Sequence, residues 1–387
     1  MASDVLIHGD THRSAVLRHE LPLGIVDPLS YFEVNGRRVA VISTLDAGRL
    51  REAVADVEVI DPHDLGLDQL IADGLRWDDL EPELCARAAA RLGTRRVVVP
   101  GDLPVAVADR LRADGIEVVP DQEVFTRRRR SKSAAEVEGV RRAQAAADTA
   151  MAAAAELLRA AEPRNGAGGG PVLDLEGEPL TSEAVRARIR EVSGDLGAPA
   201  PDDIIVAAGA AGASGHERGA GPLSAGVPII IDVWPRDERS TCFADMTRTF
   251  VAGGEPAPDV VRWHEATRAA LERVFNGLRA GVTGRELLDD ACDVFEAAGE
   301  PTLRTKAHGE PLHDGFNHSL GHGVGLEVHE EPTLGRTGAD PLVPGDVVAI
   351  EPGCYRNGYG GVRLEDLVLV TEDGFENLTD FPYGLTP

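Results

Sequence analysis

The sequence predicts an α+β protein of two domains, the first over residues 1–128 and the second over residues 129–387. Its 387 residues are enough for two or three domains at roughly 150 residues each. Short apolar runs alternate with helical patterns through the first domain, whereas the chain from residue 202 onward is rich in strand patterns. We therefore expect a βαβ domain followed by a strand-rich domain that carries a few helices.

The first domain is expected to contain a mostly parallel sheet. Helical patterns separate its apolar runs, which predict strands at RVAVIST, VEVID, RRVVVPG and IEVVPD. None of these strands ends in a glycine fingerprint or in a cluster of polar residues. We therefore expect this domain to support the chemistry or its specificity and not to perform it.

The segment VFTRRRRSKS at residues 124–133 is the predicted domain boundary. Four consecutive arginines allow a nucleic-acid patch, but the acidic surroundings favour a solvated basic stretch at a junction. Ser133 and Glu136 have the spacing of a capping box, and the Ala-rich run that follows predicts a long helix to residue 161.

The Gly/Pro-rich residues 163–179 predict a flexible loop. They do not form a phosphate loop, because no Lys-Ser/Thr follows the glycines and no strand precedes them. Further helices are predicted over residues 181–196, 259–278 and 284–298.

The composition excludes several classes of protein. The chain has 39 Lys+Arg against 65 Asp+Glu, a net charge of −26, which argues against a nucleic-acid partner. It has no apolar stretch long enough for a membrane span and no secretory signal pattern. Its four cysteines are not paired in spacing, so we expect reduced thiols in a cytoplasmic protein.

Two aspartates mark the ends of apolar strand patterns in IIIDVWPRDERSTCFADMTRTFV. Asp232 closes the first run and Asp245 opens the second. A single aspartate at a strand end is usually a turn former. Two that face each other on paired strands repel unless a cation lies between them.

Three histidines follow within twelve residues in FNHSLGHGVGLEVHEEP, namely His318, His322 and His329. The interleaved glycines exclude an ordinary helix and allow close backbone approach. His329 is expected on a strand, LEVHE. One of the three could be a core histidine bonded to a carbonyl group, but we do not expect this of all three.

Two more apolar strands carry charged residues. Glu351 ends the run VVAIE, where a buried carboxylate is costly unless it is paired. Arg363 and Glu365 are expected on one face of a single strand, VRLEDLVLV. Alone, that pair is compatible with a structural salt bridge.

Together these residues predict a metal centre, because four carboxylates in one pocket repel one another. Two divalent cations would neutralise them. A set of oxygen ligands with one nitrogen and no thiolate suits Mn²⁺, Co²⁺, Fe²⁺ or Zn²⁺. The five expected ligands are Asp232, Asp245, His322, Glu351 and Glu365.

The motifs ADMTRTF, HSLGHGVGLEVHEEP, IEPGCY and VRLEDLVLV resemble those of the pita-bread metallopeptidases, which include methionine aminopeptidase, aminopeptidase P and prolidase. The first domain resembles the creatinase-type N-domain of the proline-directed members. The resemblance implies a pita-bread catalytic domain and hydrolysis of the Xaa-Pro bond in dipeptides or at peptide N-termini. It also implies two divalent ions, most simply Mn²⁺, with a shared hydroxide, and a homodimer.

The resemblance also implies roles for single residues. Asp232 would chelate one ion, Asp245 and Glu365 would bridge both, and His322 and Glu351 would complete the second. Glu351 would also transfer the proton of the attacking water. The remaining roles concern substrate contact, by His329, His318 and His216 in GASGHERG, and orientation of the carboxylates, by Arg363.

The sequence departs from the family pattern at three points. Trp234 in DVWP stands where the family usually has glycine, and 13 residues separate the two aspartates where 11 is usual. Thr333 replaces the arginine that prolidases often carry after HExP, with Arg336 nearby, which weakens the expectation of strict dipeptide specificity. A metal-free creatinase-like hydrolase, a family lyase on a small substrate and a non-catalytic binding protein remain alternatives.

Overall fold

The computed structural model describes residues 4–166 and 170–387. It divides into two compact units between Arg129 and Arg130. Within the described parts of the chain, no helix combines the length and apolar character that a membrane crossing requires.

The first unit is built on a six-stranded sheet with the order β4-β3-β2-β1-β5-β6. The strands are β1 (Val5–Gly9), β2 (Leu29–Val34), β3 (Arg37–Val41), β4 (Val57–Ile60), β5 (Arg96–Val99) and β6 (Glu117–Pro120). Three neighbouring pairs are parallel, and the β1–β2 and β2–β3 pairs are antiparallel. The sheet is therefore mixed. Both antiparallel pairs involve β2, which, like β1, precedes the first strand that was predicted from the sequence.

The β2–β3 hairpin is explained by its two-residue turn. Val34 pairs with Arg37, and the intervening Asn35 and Gly36 have φ values of 54° and 78°. Asn-Gly is the sequence that best tolerates positive φ at both central positions of a tight hairpin turn.

Helices cover both faces of this sheet. They are α1 (Ala15–Glu20), α2 (Thr44–Ala53), α3 (Leu67–Ala72), α4 (Trp77–Leu92), α5 (Val105–Ala113) and α6 (Gln122–Arg130). Side chains alternate along the strands, so that Leu6 and Phe32 pack in the cluster with α4 and α5. Ile7 and Tyr31 pack in the cluster with α1 and α2.

The arginine run lies on α6, and it is not the solvated stretch that we expected. Arg128 binds the carboxylates of Glu20 and Glu33. Arg130 donates to the fully buried carboxylate of Asp346 at 2.7 Å. These side chains form ion pairs within their own units.

The second unit begins with the long helix α7 (Ala134–Ala160), whose predicted capping box of Ser133 and Glu136 is confirmed. The other helices are α8 (Ser182–Asp195), α9 (Pro258–Gly277) and α10 (Gly284–Ala297). These helices confirm the sequence predictions to within one residue or a few.

The prediction of a flexible loop at residues 163–179 is wrong for the residues that the structure describes, because three antiparallel strands form there. They are β7 (Glu162–Asn165), β8 (Pro171–Leu175) and β9 (Glu178–Pro179). The buried Leu173 anchors the middle strand by donating its N–H to the carbonyl of Leu223. Residues 167–169 of the predicted loop lie outside the described residues.

Two larger sheets form the body of the unit. The three-stranded sheet contains β10 (Ile205–Ala208), β11 (Pro228–Val233) and β12 (Met246–Val251). The five-stranded sheet, in the order β14-β13-β15-β18-β19, contains β13 (Gly321–Gly323), β14 (Glu330–Leu334), β15 (Val347–Ile350), β18 (Asp366–Val370) and β19 (Phe375–Asn377). A hairpin of β16 (Gly353–Arg356) and β17 (Gly360–Arg363) accompanies it.

Each sheet has its own apolar core. Ile229, Ile231 and Met246 pack with α7 and α8. Val348 and Ile350 pack with α9 and α10. Because side chains alternate along a strand, the residues between these positions point to the opposite faces. Those faces carry the polar side chains described next.

Candidate metal centre

The first wall of the site is the β11–β12 pair. Asp232 lies near the end of β11 and pairs with Thr247, while Asp245 immediately precedes β12. Ile231 and Met246 point into the apolar core, so alternation directs both aspartates to the other face. Both aspartates are buried.

The longer connection between these strands is a structured turn. The N–H of Asp237 donates to the carbonyl of Cys242 at 2.8 Å, and its carboxylate accepts from Ser240. Arg142 of α7 binds the same carboxylate at 2.9 Å. The 13-residue spacing is therefore accommodated without separating the aspartates, as expected.

The second wall brings a histidine close to the backbone of its neighbours. His322 lies on β13 between Gly321 and Gly323. A Cβ atom on Gly321 would lie 1.9 Å from the carbonyl oxygen of Ala349, and one on Gly323 would lie 2.5 Å from that of Glu331. Only glycine fits at these two positions, which explains the pattern around His322.

Ligand atoms of Asp245, His322 and Glu365 lie within 4.8 Å of one another. His322 Nε2 is 3.7 Å from Asp245 Oδ2 and 3.8 Å from Glu351 Oε1. Its Nδ1 is 3.1 Å from the carbonyl of Gly323, an acceptor that places the proton on Nδ1 and leaves the Nε2 lone pair toward the carboxylates.

Asp232 supplies an independent test of whether these residues fit a metal. Its Oδ1 atom is buried and has no hydrogen-bond partner among the described residues. A buried carboxylate oxygen without a partner is costly, and a cation would satisfy it. Four carboxylates and one imidazole also form the ligand chemistry of a divalent ion. The residues therefore fit the metal pair.

Arg363 orients two of the carboxylates through hydrogen bonds. Its Nη2 donates to Asp232 Oδ2 at 2.5 Å, and its Nε donates to Thr247 Oγ1 at 3.1 Å. The Thr247 hydroxyl in turn donates to Glu365 Oε2 at 2.8 Å. One buried guanidinium therefore orients two carboxylates, directly and through one hydroxyl group.

Crowding changes the acidity of the carboxyl groups. Burial and the negative charges of Glu365 and Asp232 raise the pKa of Asp245 well above its usual value. Burial and the charges of Asp232 and Glu351 do the same to Glu365. Burial raises the pKa of Glu351 to about 7, with Arg363 opposing and Asp232 adding to the shift. Without cations, protons are held on part of this cluster.

A cleft of about 760 Å³ opens over these residues. The three further histidines expected at the site all line it: His216, His318 and His329. His216 is exposed on a loop, whereas the ring of His329 lies edge-on to that of His322, with centroids 4.2 Å apart. Burial lowers the pKa of His329, so its neutral form prevails at pH 7.

His318 is held by protein groups on both ring nitrogens. Nδ1 is 2.7 Å from the carbonyl of Ser319, and Nε2 is 3.0 Å from the hydroxyl of Tyr355. Burial, with the charge of Arg363, lowers its pKa to about 4. We infer a neutral imidazole with its proton on Nδ1.

Two local predictions about strands were wrong. His329 immediately precedes β14 and is not on a strand, because the chain bends at residues 325–329 before pairing resumes. Arg363 ends β17, whereas Glu365 lies before β18, so the predicted single strand is two. Glu365 nevertheless reaches the site because its N–H donates to the carbonyl of Thr247.

The sequence patterns did not indicate Thr247, Tyr355 or Arg218 as site residues. Thr247 shares the face of Asp245 in the strand alternation, which is a usable signal. Tyr355 is buried and accepts a hydrogen bond from Arg363 Nη1 at 3.2 Å. Arg218 lines the cleft two residues after His216.

The fold and these paired carboxylates define the metallopeptidase class. The model of Metallopeptidase family M24 matches residues 138–372, which is more than half of the chain. The chain therefore belongs to metallopeptidase family M24.

Curated relatives carry dipeptidase names. The probable dipeptidase PepE of Mycobacterium tuberculosis is 32% identical over 277 residues, covering 70% of this chain and 65% of that protein. The Xaa-Pro dipeptidase of Pyrococcus horikoshii is 34% identical over 178 residues, 46% of each chain. The matched regions therefore span 65% and 46% of the lengths of these two relatives, in both cases less than two thirds.

Solved structures confirm the predicted fold. The Xaa-Pro dipeptidase from Bacillus anthracis superimposes with a TM-score of 0.78 at 24% identity, covering 99% of this chain and 94% of that one. The dipeptidase PepE from Mycobacterium ulcerans gives 0.75 at 27% identity, covering 99% and 92%. The structural similarity extends over essentially the whole chain.

Proposed function

We propose that this protein is a metal-dependent peptidase that hydrolyses the Xaa-Pro bond of dipeptides or of peptide N-termini. The observation that carries the proposal is the cluster of Asp245, His322 and Glu365 beside Glu351 and the unsatisfied oxygen of Asp232. The names of the matched relatives, Xaa-Pro dipeptidase among them, support the substrate class.

Two divalent ions would be held by the five predicted ligands. Asp232 would bind one ion, Asp245 and Glu365 both, and His322 with Glu351 the other. When bound, such ions supply Lewis acidity and a water acidified toward neutral pH. We propose Mn²⁺ as the ion, because oxygen ligands predominate.

Residues of the chain would perform the proton transfers. Glu351 lines the cleft, with Oε1 3.8 Å from His322 Nε2, so its carboxylate is placed to accept a proton from a water in the cleft and to release it again. We propose that it takes the proton of the attacking water and passes it to the imino nitrogen of the leaving proline. The neutral His329 would donate an N–H to the oxyanion that develops on the scissile carbonyl.

The cleft walls favour a proline ring on chemical grounds. Trp234, Val328 and Ile205 add apolar surface to a cleft that is otherwise polar. Proline has no N–H, so it needs no acceptor group in such surroundings. The replacement of the usual family glycine by Trp234 adds to this wall.

The experiment is to strip the protein of metal, confirm removal by metal analysis, and reload it with Mn²⁺, Co²⁺ or Zn²⁺. We expect hydrolysis of an Xaa-Pro dipeptide only after reloading, and no hydrolysis of the matched Xaa-Ala dipeptide. Full activity in the stripped protein would refute the metal-dependent mechanism. Equal rates on both dipeptides would refute the proline preference.

A further inference from the structure

Positive charge is scarce in the cleft. Among the described residues, two arginines and no lysine line it, namely Arg218 and Arg363. Arg363 is buried and already binds Asp232, Thr247 and Tyr355. Arg218 is therefore the cleft cation that a substrate can reach.

The guanidinium of Arg218 retains most of its hydrogen-bonding capacity. Its Nη2 donates to the main-chain carbonyl of Asp202. No carboxylate of the described residues lies within ion-pair distance of it, and its side chain is exposed. A guanidinium has five N–H donors in a planar fork, so enough remain to bind a carboxylate through two hydrogen bonds.

The main chain beneath this side chain is fixed. The carbonyl of Arg218 accepts from the N–H of Val206 at 3.0 Å and from Arg186 Nη1 at 2.6 Å. A Cβ atom on the next residue, Gly219, would lie 2.0 Å from the carbonyl oxygen of Val206, so the chain is pressed against β10 here. The fixed backbone limits the positions that the exposed guanidinium can reach in the cleft.

Apart from its histidines, the other ionisable side chains of the cleft are mostly acidic. Its lining includes five carboxylates, which are Asp203, Asp232, Asp245, Glu351 and Glu365. Bound ions would balance the charges of the last four, which leaves Asp203 to repel an anionic group of a substrate and Arg218 to attract it. The one carboxylate common to all unmodified peptide substrates is at the C-terminus, and it lies next to the scissile bond only in a dipeptide.

The residues where the family often has a carboxylate-binding arginine do not contribute here. Neither Thr333 nor Arg336 lines the cleft. Arg218 approaches from a different element, the loop that also carries His216.

We propose that Arg218 binds the C-terminal carboxylate of the substrate and so selects Xaa-Pro dipeptides over longer peptides. This inference rests on the proposed Xaa-Pro peptidase function. It assigns Arg218 as a specificity residue that contacts the substrate away from the reacting atoms.

The test compares an Xaa-Pro dipeptide with its C-terminal amide, using Mn²⁺-loaded wild type, R218A, R218K and the control R188A. Arg188 is an exposed arginine on α8 that binds Glu191 and does not line the cleft. We expect wild type and R188A to prefer the free acid. In R218A, KM for the free acid should rise about 10- to 100-fold with little change in kcat, because a charge-assisted hydrogen bond to the substrate is lost. The KM and kcat for the amide should not change.

R218K should give an intermediate KM, because its ammonium keeps the charge but not the planar fork. The inference is overturned if wild type cleaves the acid and the amide equally. It is also overturned if R218A leaves both KM values unchanged or raises both to the same extent. If loaded wild type cleaves neither compound, the proposed function fails and this inference falls with it. Cleavage of both without discrimination overturns this inference alone.

Discussion

Arg363 and Asp232 share one hydrogen bond of 2.5 Å, and it uses only one oxygen of the aspartate. The other oxygen, Oδ1, is buried without a hydrogen-bond partner among the described residues. One side of the carboxylate is thus fixed by the protein, and the other remains available to a cation. This division of roles would let an arginine lie among the proposed metal ligands without displacing a bound ion.

Replacement of Arg363 by methionine should destabilise the metal-free protein by about 3–5 kcal/mol, because a buried carboxylate loses its partner. Urea unfolding at neutral pH in the presence of a chelator measures this. The control is R37M, since Arg37 and Glu58 form an exposed pair and the free energy of unfolding should not change measurably. Equal effects in the two variants would contradict the orienting role of Arg363.

The buried carboxyl groups should make the metal-free protein less stable as the pH rises, against the opposite contribution of His318 and His322, whose pKa values are lowered to about 4. A carboxyl group whose folded pKa is raised binds more protons in the folded state, so its stabilisation is present at low pH and lost as pH approaches the folded pKa. For Glu351 that interval runs from its ordinary 4.5 to about 7, and the raised pKa values of Asp245 and Glu365 extend it upward.

Calorimetry of the chelated protein at about pH 5.5 and about pH 8 measures this loss. The Mn²⁺-loaded protein should lose less stability over this pH interval, because the bound ions take the place of the protons on the carboxylates. E351Q should flatten the profile of the chelated protein by removing one titrating group. Because the histidines titrate in both proteins, identical pH profiles of chelated wild type and chelated E351Q would show that Glu351 is not protonated in the folded state as described.

His322 and His329 should differ in what their loss removes. H322A removes a ligand, so we expect lower metal content together with lower activity. H329A should keep its metal and lose most turnover, since its ring lies beside His322 and outside the group of ligand atoms. Metal analysis combined with kinetics separates the two. If H329A lost metal in proportion to activity, its assigned role would be wrong.

A buried ion pair supports the segment that carries His329. Lys132 Nζ donates to Glu330 Oε1 at 2.6 Å, and their side chains are 3% and 5% exposed. K132M and E330Q should each destabilise the protein by about 3–5 kcal/mol, because each leaves one buried charge without this partner. The loss in free energy of unfolding in the double variant, measured by chemical unfolding, should be clearly smaller than the sum of the losses in the two single variants. Additive losses would mean that the pair is not coupled.

Gly321 should not tolerate a methyl group. In G321A the added Cβ would meet the carbonyl oxygen of Ala349, so β13 must move from β15 and His322 with it. We expect reduced metal content and a loss of several kcal/mol, typical of forced backbone displacement. The matched control is G194A on helix α8, where nothing lies within 4 Å of the added Cβ. That change should be neutral or stabilising by up to about 1 kcal/mol. Equal behaviour of the two variants would argue against the described packing.

Local signals predicted much of this structure. The capping box of Ser133 and the long helix after it depend on residues close in sequence, and they were found. The strands β1 and β2 were missed, although Asn35-Gly36 is a strong hairpin signal that could have revealed β2. The strands at residues 163–179 were missed because glycine and proline masked a pairing that Leu173 makes with Leu223.

The sequence indicated which residues to propose for the metal centre but not their geometry, and their role as metal ligands stays a prediction. Positions at the ends of apolar runs indicated Asp232, Asp245 and Glu351. Contacts such as Thr247 to Glu365 join residues 118 positions apart, and no local pattern encodes that pairing. Hydrophobic periodicity in the sequence could not indicate Arg218, because this residue lies on a loop. The creatinase-type assignment of residues 1–128, the homodimer and the cytoplasmic location stay predictions.

The two large sheets of the second unit are each anchored in a separate apolar cluster, and the acidic residues come from both. An ion bound among them would therefore act as a cross-link between two halves of the domain as well as a reagent. Removal of the ion should loosen this junction before either half melts, so that a protease added to chelated protein would cut first in the segments that join the halves. Catalytic competence and mechanical integrity would then depend on the same few oxygen atoms.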